Sequence, residues 1–194
     1  VHLGLAGLLR TASLENPRII CQIIRIDNWN VVSGDILHKD SRYPEDMFIH
    51  YREGKRNTFT WGNLQAASGG PSGLWKDNGV YLITGGLGGL GLLFAKEIVH
   101  QVENPTLILT GRSEIGSEKK KQLDELEKDG ATVTYNRVDV SQKDAVHTLI
   151  DGIIERFGKL NGILHSAGII RDNYLIKKAE DEWKEVLAAK VQGL

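Results

Sequence analysis

The chain has 194 residues, of which 41% are hydrophobic and 25% are charged, an ordinary composition for a folded globular protein. Lysine and arginine number 24 against 25 aspartates and glutamates, so a net charge of -1 leaves no basic excess for non-specific nucleic-acid binding. No apolar run approaches the roughly 20 residues that span a bilayer. The single cysteine, Cys21, excludes an internal disulfide and a cysteine-rich metal site, and it is typical of a reducing cytoplasmic environment.

The first part of the chain, residues 1–74, shows no clean repeat. Residues 19–26 are apolar and β-branched, which predicts a buried strand, and alternating runs over residues 48–61 predict a hairpin. Residues 67–73 are small and rich in glycine and serine, which predicts a loop. We therefore expect one structural unit over residues 1–74 and a second over 75–194.

Strand and helix patterns alternate along the second part of the chain. The predicted strands cover residues 80–84, 106–110, 132–138 and 162–166, and the predicted helices cover residues 89–101, 117–129, a segment from 141 and residues 179–192. In the first of these helices, Leu90, Leu93, Phe94 and Ile98 share one face, which is therefore apolar. Ser141 and Asp144 have the spacing of a capping box. The alternation predicts an α/β fold with a doubly wound parallel sheet.

A glycine cluster stands between the first strand and the first helix of this part. The candidate cofactor-binding residues there are Thr84, Gly85, Gly86, Leu87, Gly88, Gly89, Leu90 and Gly91. Three of its glycines match the Gly-x-Gly-x-x-Gly pattern, which lets the backbone approach a pyrophosphate at a helix N-terminus. The alternative is a glycine-rich turn that only packs helix on strand. A nucleotide triphosphatase loop is excluded, because no Gly-Lys-Ser/Thr follows.

The residues after the second strand bear on the choice of cofactor. Enzymes that use NAD commonly place an acidic residue there for the ribose hydroxyls. Here the strand is followed by Arg112 and Ser113, which can pair with and donate to a 2′-phosphate. The position favours NADP over NAD, although an arginine at a strand end is also compatible with simple solvation.

Two further motifs follow the third and fourth predicted strands, namely Asp139-Val140 and the segment His165-Ser166-Ala167-Gly168. With the glycine cluster they resemble the short-chain dehydrogenase/reductase superfamily. The match is narrower still: the chain is similar to the ketoreductase domain of modular polyketide synthases in the segments VYLITGGLGGLG, LTGRS, VDVS, GILHSAGIIRDNYL and VLAAKVQGL. The resemblance implies a Rossmann-type catalytic unit preceded by a partial, degenerate Rossmann-like structural subdomain, with the C-terminal part of the catalytic unit missing.

The resemblance assigns roles to the matched positions. Asp139 would accept a hydrogen bond from the adenine amino group, with the Val140 backbone beside it. Ser166, Ala167 and Gly168 would line the nicotinamide ribose. Without the resemblance, Asp139 is a polar strand end and the small residues form a turn. His165 is expected to be packed rather than catalytic.

Two positions near the end of the chain carry further implied roles. Lys190 is expected on the apolar stripe of the last helix, and the resemblance makes it the catalytic lysine, which lowers the pKa of a tyrosine; the alternative is a helix-end lysine that extends into water. Asp172 matches the last residue of the Leu-Asp-Asp triplet of B-type ketoreductases, with Ile170 and Arg171 in place of the first two. That match implies a D-configured alcohol and a role in stereocontrol, and the alternative is an acidic loop cap.

The implied activity is NADPH-dependent reduction of a β-ketoacyl thioester carried by an acyl carrier protein, inside a cytoplasmic polyketide synthase with neighbouring domains. The serine and tyrosine of that chemistry are expected beyond Leu194, so the 194 residues alone are expected to be inactive. The alternatives are a catalytically inactive docking module of the synthase and a stand-alone reductase of free ketones. The six histidines show no metal-ligand spacing, so no metal is expected.

Overall fold

The computed structural model describes residues 2–28, 30, 34–60, 62–64 and 73–193. The backbone divides into two compact units, one of Val1–Ser68 with Asn173–Lys177 and one of Gly69–Asp172 with Lys178–Leu194. Most of the predicted loop over residues 67–73 lies outside the described residues. Within the described part of the chain, none of the helices has the length and apolar character needed to cross a membrane.

The first unit is built on a three-stranded sheet in the order β1-β2-β3. Its elements are α1 (His2–Glu15), β1 (Ile23–Ile26), α2 (Asp35–Asp40), β2 (Phe48–Arg52) and β3 (Lys55–Thr58). Strands β2 and β3 pair antiparallel, which confirms the predicted hairpin, and its turn uses positive φ angles of 51° at Glu53 and 73° at Gly54. The buried strand predicted over residues 19–26 begins only at Ile23 and is half-buried rather than buried, and Ile19 and Ile20 before it are exposed. Neither helix was predicted.

A buried carboxylate organises the polar side of this unit. Asp40 is fully buried and lies 2.7 Å from the Nε atom of Arg56, and the Tyr51 hydroxyl donates to it at 3.2 Å. The same guanidinium reaches Asp46 at 2.7 Å. These bonds compensate the charge that burial of Asp40 would otherwise leave unpaired.

The second unit is a four-stranded, fully parallel sheet in the order β6-β5-β4-β7. Its elements are β4 (Val80–Thr84), α3 (Gly89–Gln101), β5 (Thr106–Gly111), α4 (Ser117–Lys128), β6 (Thr132–Arg137), α5 (Lys143–Phe157), β7 (Gly162–His165), α6 (Glu180–Leu187) and a π-helical turn (Ala188–Gln192). Every strand and helix predicted for this part of the chain is present, with ends that differ by at most two residues when α6 and the π-helical turn together count as the predicted last helix.

Side chains of β4 alternate between two hydrophobic cores, one on each face of the sheet. Tyr81 and Ile83 pack in a cluster with Ala95 and Ile98 of α3 and with Leu126 of α4. The intervening residues of the strand pack on the opposite face with α5, in a cluster formed by Val80, Leu82, Ile108 and Ile153. Helices therefore cover both faces, and the doubly wound Rossmann-type sheet predicted from the sequence is confirmed.

The apolar face predicted for α3 is buried only at Ile98. Leu90, Leu93 and Phe94 are exposed by 65%, 63% and 39%, and the rest of the buried side carries Gly91, Ala95 and Val99. The helix begins so close to the glycine turn that only small side chains fit between them. A Cβ atom on Gly91 would lie 2.6 Å from the Gly85 carbonyl oxygen.

The capping box predicted at Ser141 and Asp144 was also wrong. Helix α5 begins at Lys143, and its N-cap residue, Gln142, makes no side-chain capping bond. Ser141 instead turns back to Asp139, and both its amide and its hydroxyl donate to that carboxylate. A local aspartate turn therefore takes the serine that the sequence pattern assigned to the helix.

Candidate functional site

The candidate site is a cleft of about 270 Å³ at the carboxyl ends of the parallel strands of the second unit. Because the four strands are parallel, the segments that follow them all lie at the carboxyl-terminal end of the sheet. The lining takes Gly85, Leu87 and Gly88 from the glycine turn, and Arg112 and Ser113 from the segment after β5. The structure thus brings two sequence-predicted groups of residues together.

The other two predicted groups reach the same cleft. Asp139 and Val140, after β6, line it, as do Ser166, Ala167 and Gly168 after β7. The remaining predicted residues of the glycine cluster are not among its lining. They are Thr84, Gly86, Gly89, Leu90 and Gly91, and they lie at the strand end, under the turn or in the first turn of α3.

Gly85 is the position where the turn most needs glycine. Its φ angle is +63°, and a Cβ atom there would lie 2.8 Å from both the Ser166 carbonyl oxygen and the Ala167 Cα atom. The turn after β4 is therefore in backbone contact with the turn after β7. Any side chain larger than hydrogen would push the two segments apart.

The start of α3 faces this turn and leaves amide groups available. The first intrahelical bond runs from the Leu92 amide to the Gly88 carbonyl at 3.0 Å, so the amides of Gly89, Leu90 and Gly91 precede it. Amides in this position attract anions, because the helix dipole adds to their own partial charge. Thr110, also in the lining, has a buried hydroxyl with no hydrogen-bond partner among the described residues. The cradle and its free donors fit a pyrophosphate group.

Arg112 and Ser113 are exposed at one end of the cleft and share it with a second cation, Lys119 of α4. Arg137 of β6 lies next to them, where it is paired with Glu114 at 3.2 Å. Arg112 and Lys119 have no ion pair among the described residues. This end of the cleft therefore combines positive charge with a hydroxyl.

Asp139 is half-buried and is held by its neighbour two residues on. The Ser141 hydroxyl and amide donate to the same carboxylate oxygen at 2.8 and 3.0 Å. These bonds lower the pKa of Asp139 below its ordinary value, and the positive charge of Arg112 acts in the same direction. The carboxylate is therefore ionised at neutral pH and can accept a further hydrogen bond on its other oxygen.

His165 joins the end of β4 to the π-helical turn. Its Nε2 atom lies 2.9 Å from the Ala189 carbonyl, which can only accept, so the proton of a neutral ring is on Nε2. Its Nδ1 atom then accepts from the Thr84 hydroxyl at 2.9 Å, and that hydroxyl accepts from the Ala167 amide at 3.3 Å. The ring is half-buried within this chain of bonds, as a packed histidine would be.

Lys190 follows Ala189 in the π-helical turn, and it is exposed rather than on a buried stripe. Its Cε and Nζ atoms lie 3.3 and 3.5 Å from the position that a Cβ atom on Gly168 would occupy. The lysine thus lies against the segment after β7, beside the cleft lining. Asp172 is exposed and is not among the lining residues.

The family model described as the KR domain matches residues 79–194, which is more than half of the chain. The chain belongs to the ketoreductase (KR) domain family. Members of this family are short-chain-type oxidoreductases that use a nicotinamide cofactor, and the family assignment confirms the resemblance seen in the sequence.

The similar proteins are parts of polyketide synthases. The chain is 46% identical to polyketide synthase PksN and 44% identical to polyketide synthase PksL, both of Bacillus subtilis (strain 168), over 98% of its length and 4% of theirs. A crystal structure of a ketoreductase domain from the bacillaene assembly line superposes with a TM-score of 0.90 at 42% identity. That match covers 98% of this chain and 45% of the other. The chain therefore spans a small part of the synthases and less than half of the solved domain.

The ketoreductase cleft also contains residues that the sequence analysis missed. Lys119 and Ser141 were placed only within helices, and Tyr135 only within a strand, although all three line the cleft. Parallel pairing of β5 with β6 places Tyr135 opposite Leu109, near the segment that carries Arg112. Sequence motifs indicate residues that directly follow strands, and they carry no signal for side chains such as Tyr135 and Lys119 that reach the cleft from within a strand or helix.

Gly85→Ala is expected to destabilise the ketoreductase unit, because the new methyl group meets backbone at 2.8 Å and φ stays at +63°. The loss should be about 1–3 kcal/mol in free energy of unfolding, measured by urea denaturation. Gly89→Ala is the matched control, since a Cβ atom there has open space, and stability should stay constant or rise slightly. Equal losses in the two variants would contradict the packing argument.

His165→Leu is expected to lower the free energy of unfolding by about 1–3 kcal/mol, since two hydrogen bonds are lost and the buried Thr84 hydroxyl loses its acceptor. His147→Leu, an exposed change on α5, serves as the control and should have little effect. Chemical denaturation of both variants measures the difference. A His165→Leu protein as stable as the control would show that the histidine bridge contributes nothing.

Proposed function

We propose that this ketoreductase unit binds NADPH and takes part in reducing a β-ketoacyl thioester, carried by an acyl carrier protein, to the β-hydroxyacyl thioester within a polyketide synthase. The observation that carries the proposal is the convergence of the glycine turn, Arg112-Ser113, Asp139-Val140 and Ser166–Gly168 on one cleft. Its positive end and the free amides at the adjoining start of α3 suit a dinucleotide.

Each part of the cleft has a distinct task in this proposal. The amides at the start of α3 hold the pyrophosphate, and the glycines keep that approach open. Asp139, ionised because Ser141 donates to it twice, accepts from the adenine amino group. Ser166, Ala167 and Gly168 line the nicotinamide ribose. Arg112 and Ser113 hold the 2′-phosphate, which is the basis for preferring NADPH to NADH.

The chemistry that bound NADPH supplies is a hydride for the ketone carbon, and the oxygen must gain a proton from the protein. Lys190 is proposed as the catalytic lysine, whose positive charge lowers the pKa of the tyrosine that donates this proton. None of Tyr43, Tyr51, Tyr81, Tyr135 or Tyr174 stands at the position where the family motif has that tyrosine. The proton donor and its serine partner are therefore sought beyond Leu194, and these 194 residues alone are proposed to bind cofactor without turnover.

Asp172 supports a narrower proposal about the product. It occupies the last position of the B-type triplet, and its exposed side chain is available to guide substrate entry. We assign it a role in stereocontrol that favours the D-configured alcohol. Chiral analysis of the hydroxyacyl product from an Asp172→Ala variant compared with the unsubstituted enzyme tests this role.

Turnover is the first experiment. NADPH oxidation is followed with a carrier-bound β-ketoacyl thioester, using the synthase polypeptide that includes this chain and continues past Leu194. Lys190→Ala should lower the rate by about 100-fold or more, whereas Lys184→Ala, an exposed lysine of α6 paired with Glu180, should leave the rate unchanged. Full activity in Lys190→Ala would remove the lysine from the mechanism.

The same assay separates the alternatives. Cofactor binding without turnover in the unsubstituted polypeptide would favour the second candidate, a ketoreductase fold that serves only as a docking module of the synthase. Equal rates with free and carrier-bound ketones would favour a stand-alone reductase instead.

Cofactor choice has its own test. Arg112→Gln should weaken NADPH binding about 10-fold or more, because a charged hydrogen bond to the 2′-phosphate is lost, and should leave NADH binding nearly unchanged. Arg156→Gln, an exposed change on α5 on the opposite side of the sheet, is the control. Fluorescence titration with each cofactor measures both dissociation constants. Unchanged NADPH affinity in Arg112→Gln would contradict the proposed phosphate contact.

A further inference from the structure

Three successive carbonyl groups at the end of β5 and just after it each accept a hydrogen bond from a residue of β6 or the residue that follows β6. The Gly111 carbonyl accepts from the Val138 amide at 2.9 Å, the Arg112 carbonyl from Arg137 Nε at 3.0 Å, and the Ser113 carbonyl from the Tyr135 hydroxyl at 2.7 Å. The first bond continues the sheet ladder. The other two bonds are donated by the side chains of Arg137 and Tyr135, so β6 restrains the segment after β5 beyond the last backbone pair of the sheet.

Tyr135 reaches Ser113 because the strand end beneath it is glycine. Its hydroxyl lies 2.7 Å from the position that a Cβ atom on Gly111 would occupy, so any other residue there would displace the phenol. Its ring packs against the hydrophobic cluster between the sheet and helices α3 and α4. Packing thus fixes the ring, and the hydrogen bond from its hydroxyl restrains the Ser113 carbonyl.

This hydrogen bond is available throughout the neutral range. Burial raises the pKa of Tyr135 above its ordinary value, so the hydroxyl stays protonated and can donate. The accepting carbonyl belongs to a segment whose side chains, Arg112 and Ser113, are exposed and line the cleft. Without the bond, this segment has fewer restraints on the direction of those two side chains.

We propose that Tyr135 is a positioning residue that determines cofactor preference: by fixing the Ser113 carbonyl, it holds Arg112 and Ser113 towards a 2′-phosphomonoester. This inference rests on the proposed function, in which that segment binds the 2′-phosphate of NADPH. Tyr135 acts through the backbone and needs no contact with the phosphate itself. Its effect is therefore confined to ligands that carry this phosphate.

The test compares two tyrosine-to-phenylalanine variants of this chain. Tyr135→Phe keeps the packed ring and removes only the hydroxyl. Tyr81→Phe is the matched control, because the Tyr81 hydroxyl also bonds the backbone, where it accepts from the Lys76 amide at 2.6 Å. That bond lies near the amino end of β4, whereas the cleft lies at the carboxyl ends of the strands. Dissociation constants for NADPH and NADH are measured for both variants and the unsubstituted chain, and thermal unfolding verifies that each is folded.

Tyr135→Phe should weaken NADPH binding about 3- to 10-fold and leave NADH binding within about 2-fold, the effect expected when one positioning hydrogen bond is lost. Tyr81→Phe should leave the ratio of the two constants unchanged. A purely structural role for Tyr135 would weaken both cofactors in proportion, and an unchanged ratio overturns the inference. Equal affinities in the unsubstituted chain would instead overturn the proposed NADPH preference, and this inference with it.

Discussion

Backbone-to-backbone contact around the glycine turn is the constraint on which the second unit depends. The turn after β4 touches the turn after β7 at Gly85, and it touches the first turn of α3 at Gly91. No side chain separates these segments, so the helix N-terminus lies close to the cleft. The same constraint selects small residues for the inward face of α3 and leaves its larger apolar residues, Leu90 and Leu93, exposed.

Side chains anchored in the sheet hold both ends of the cleft. At one end His165, the last residue of β7, bonds the Ala189 carbonyl and so restrains the turn that carries Lys190. At the other end Tyr135 and Arg137 of β6 bond the carbonyls after β5. Because the anchors belong to strands of one continuous parallel sheet, the spacing between the two ends is set by strand pairing rather than by loop conformation.

Hydrophobic alternation and glycine spacing were enough to predict the parallel sheet, since buried strands and their flanking turns are local signals. The glycine turn and Arg112-Ser113 were predicted from their positions after strands, whereas the roles of the residues after the third and fourth strands came from the family resemblance. The apolar face of α3 differs from its buried side except at Ile98, because helical periodicity takes no account of the close contact between Gly91 and the Gly85 carbonyl. Ser141 was misassigned because two local partners compete for it. Tyr135 was missed because its contact with Ser113 spans 22 residues and depends on strand order. The helices of the first unit were missed because their sequences lack a strong amphipathic period.

In the proposed function, different parts of the cofactor are bound by segments that follow different strands. Backbone amides at α3 would bind pyrophosphate whatever the side chains are, and the segment after β5 would select the 2′-phosphate. Among these segments, only the turn that carries Lys190 would serve the proposed chemical step. A ketoreductase fold retained as a scaffold could therefore lose turnover while it keeps both affinity and preference for NADPH. Cofactor binding alone therefore cannot distinguish an active reductase from a docking module. The residues that transfer the proton distinguish the two.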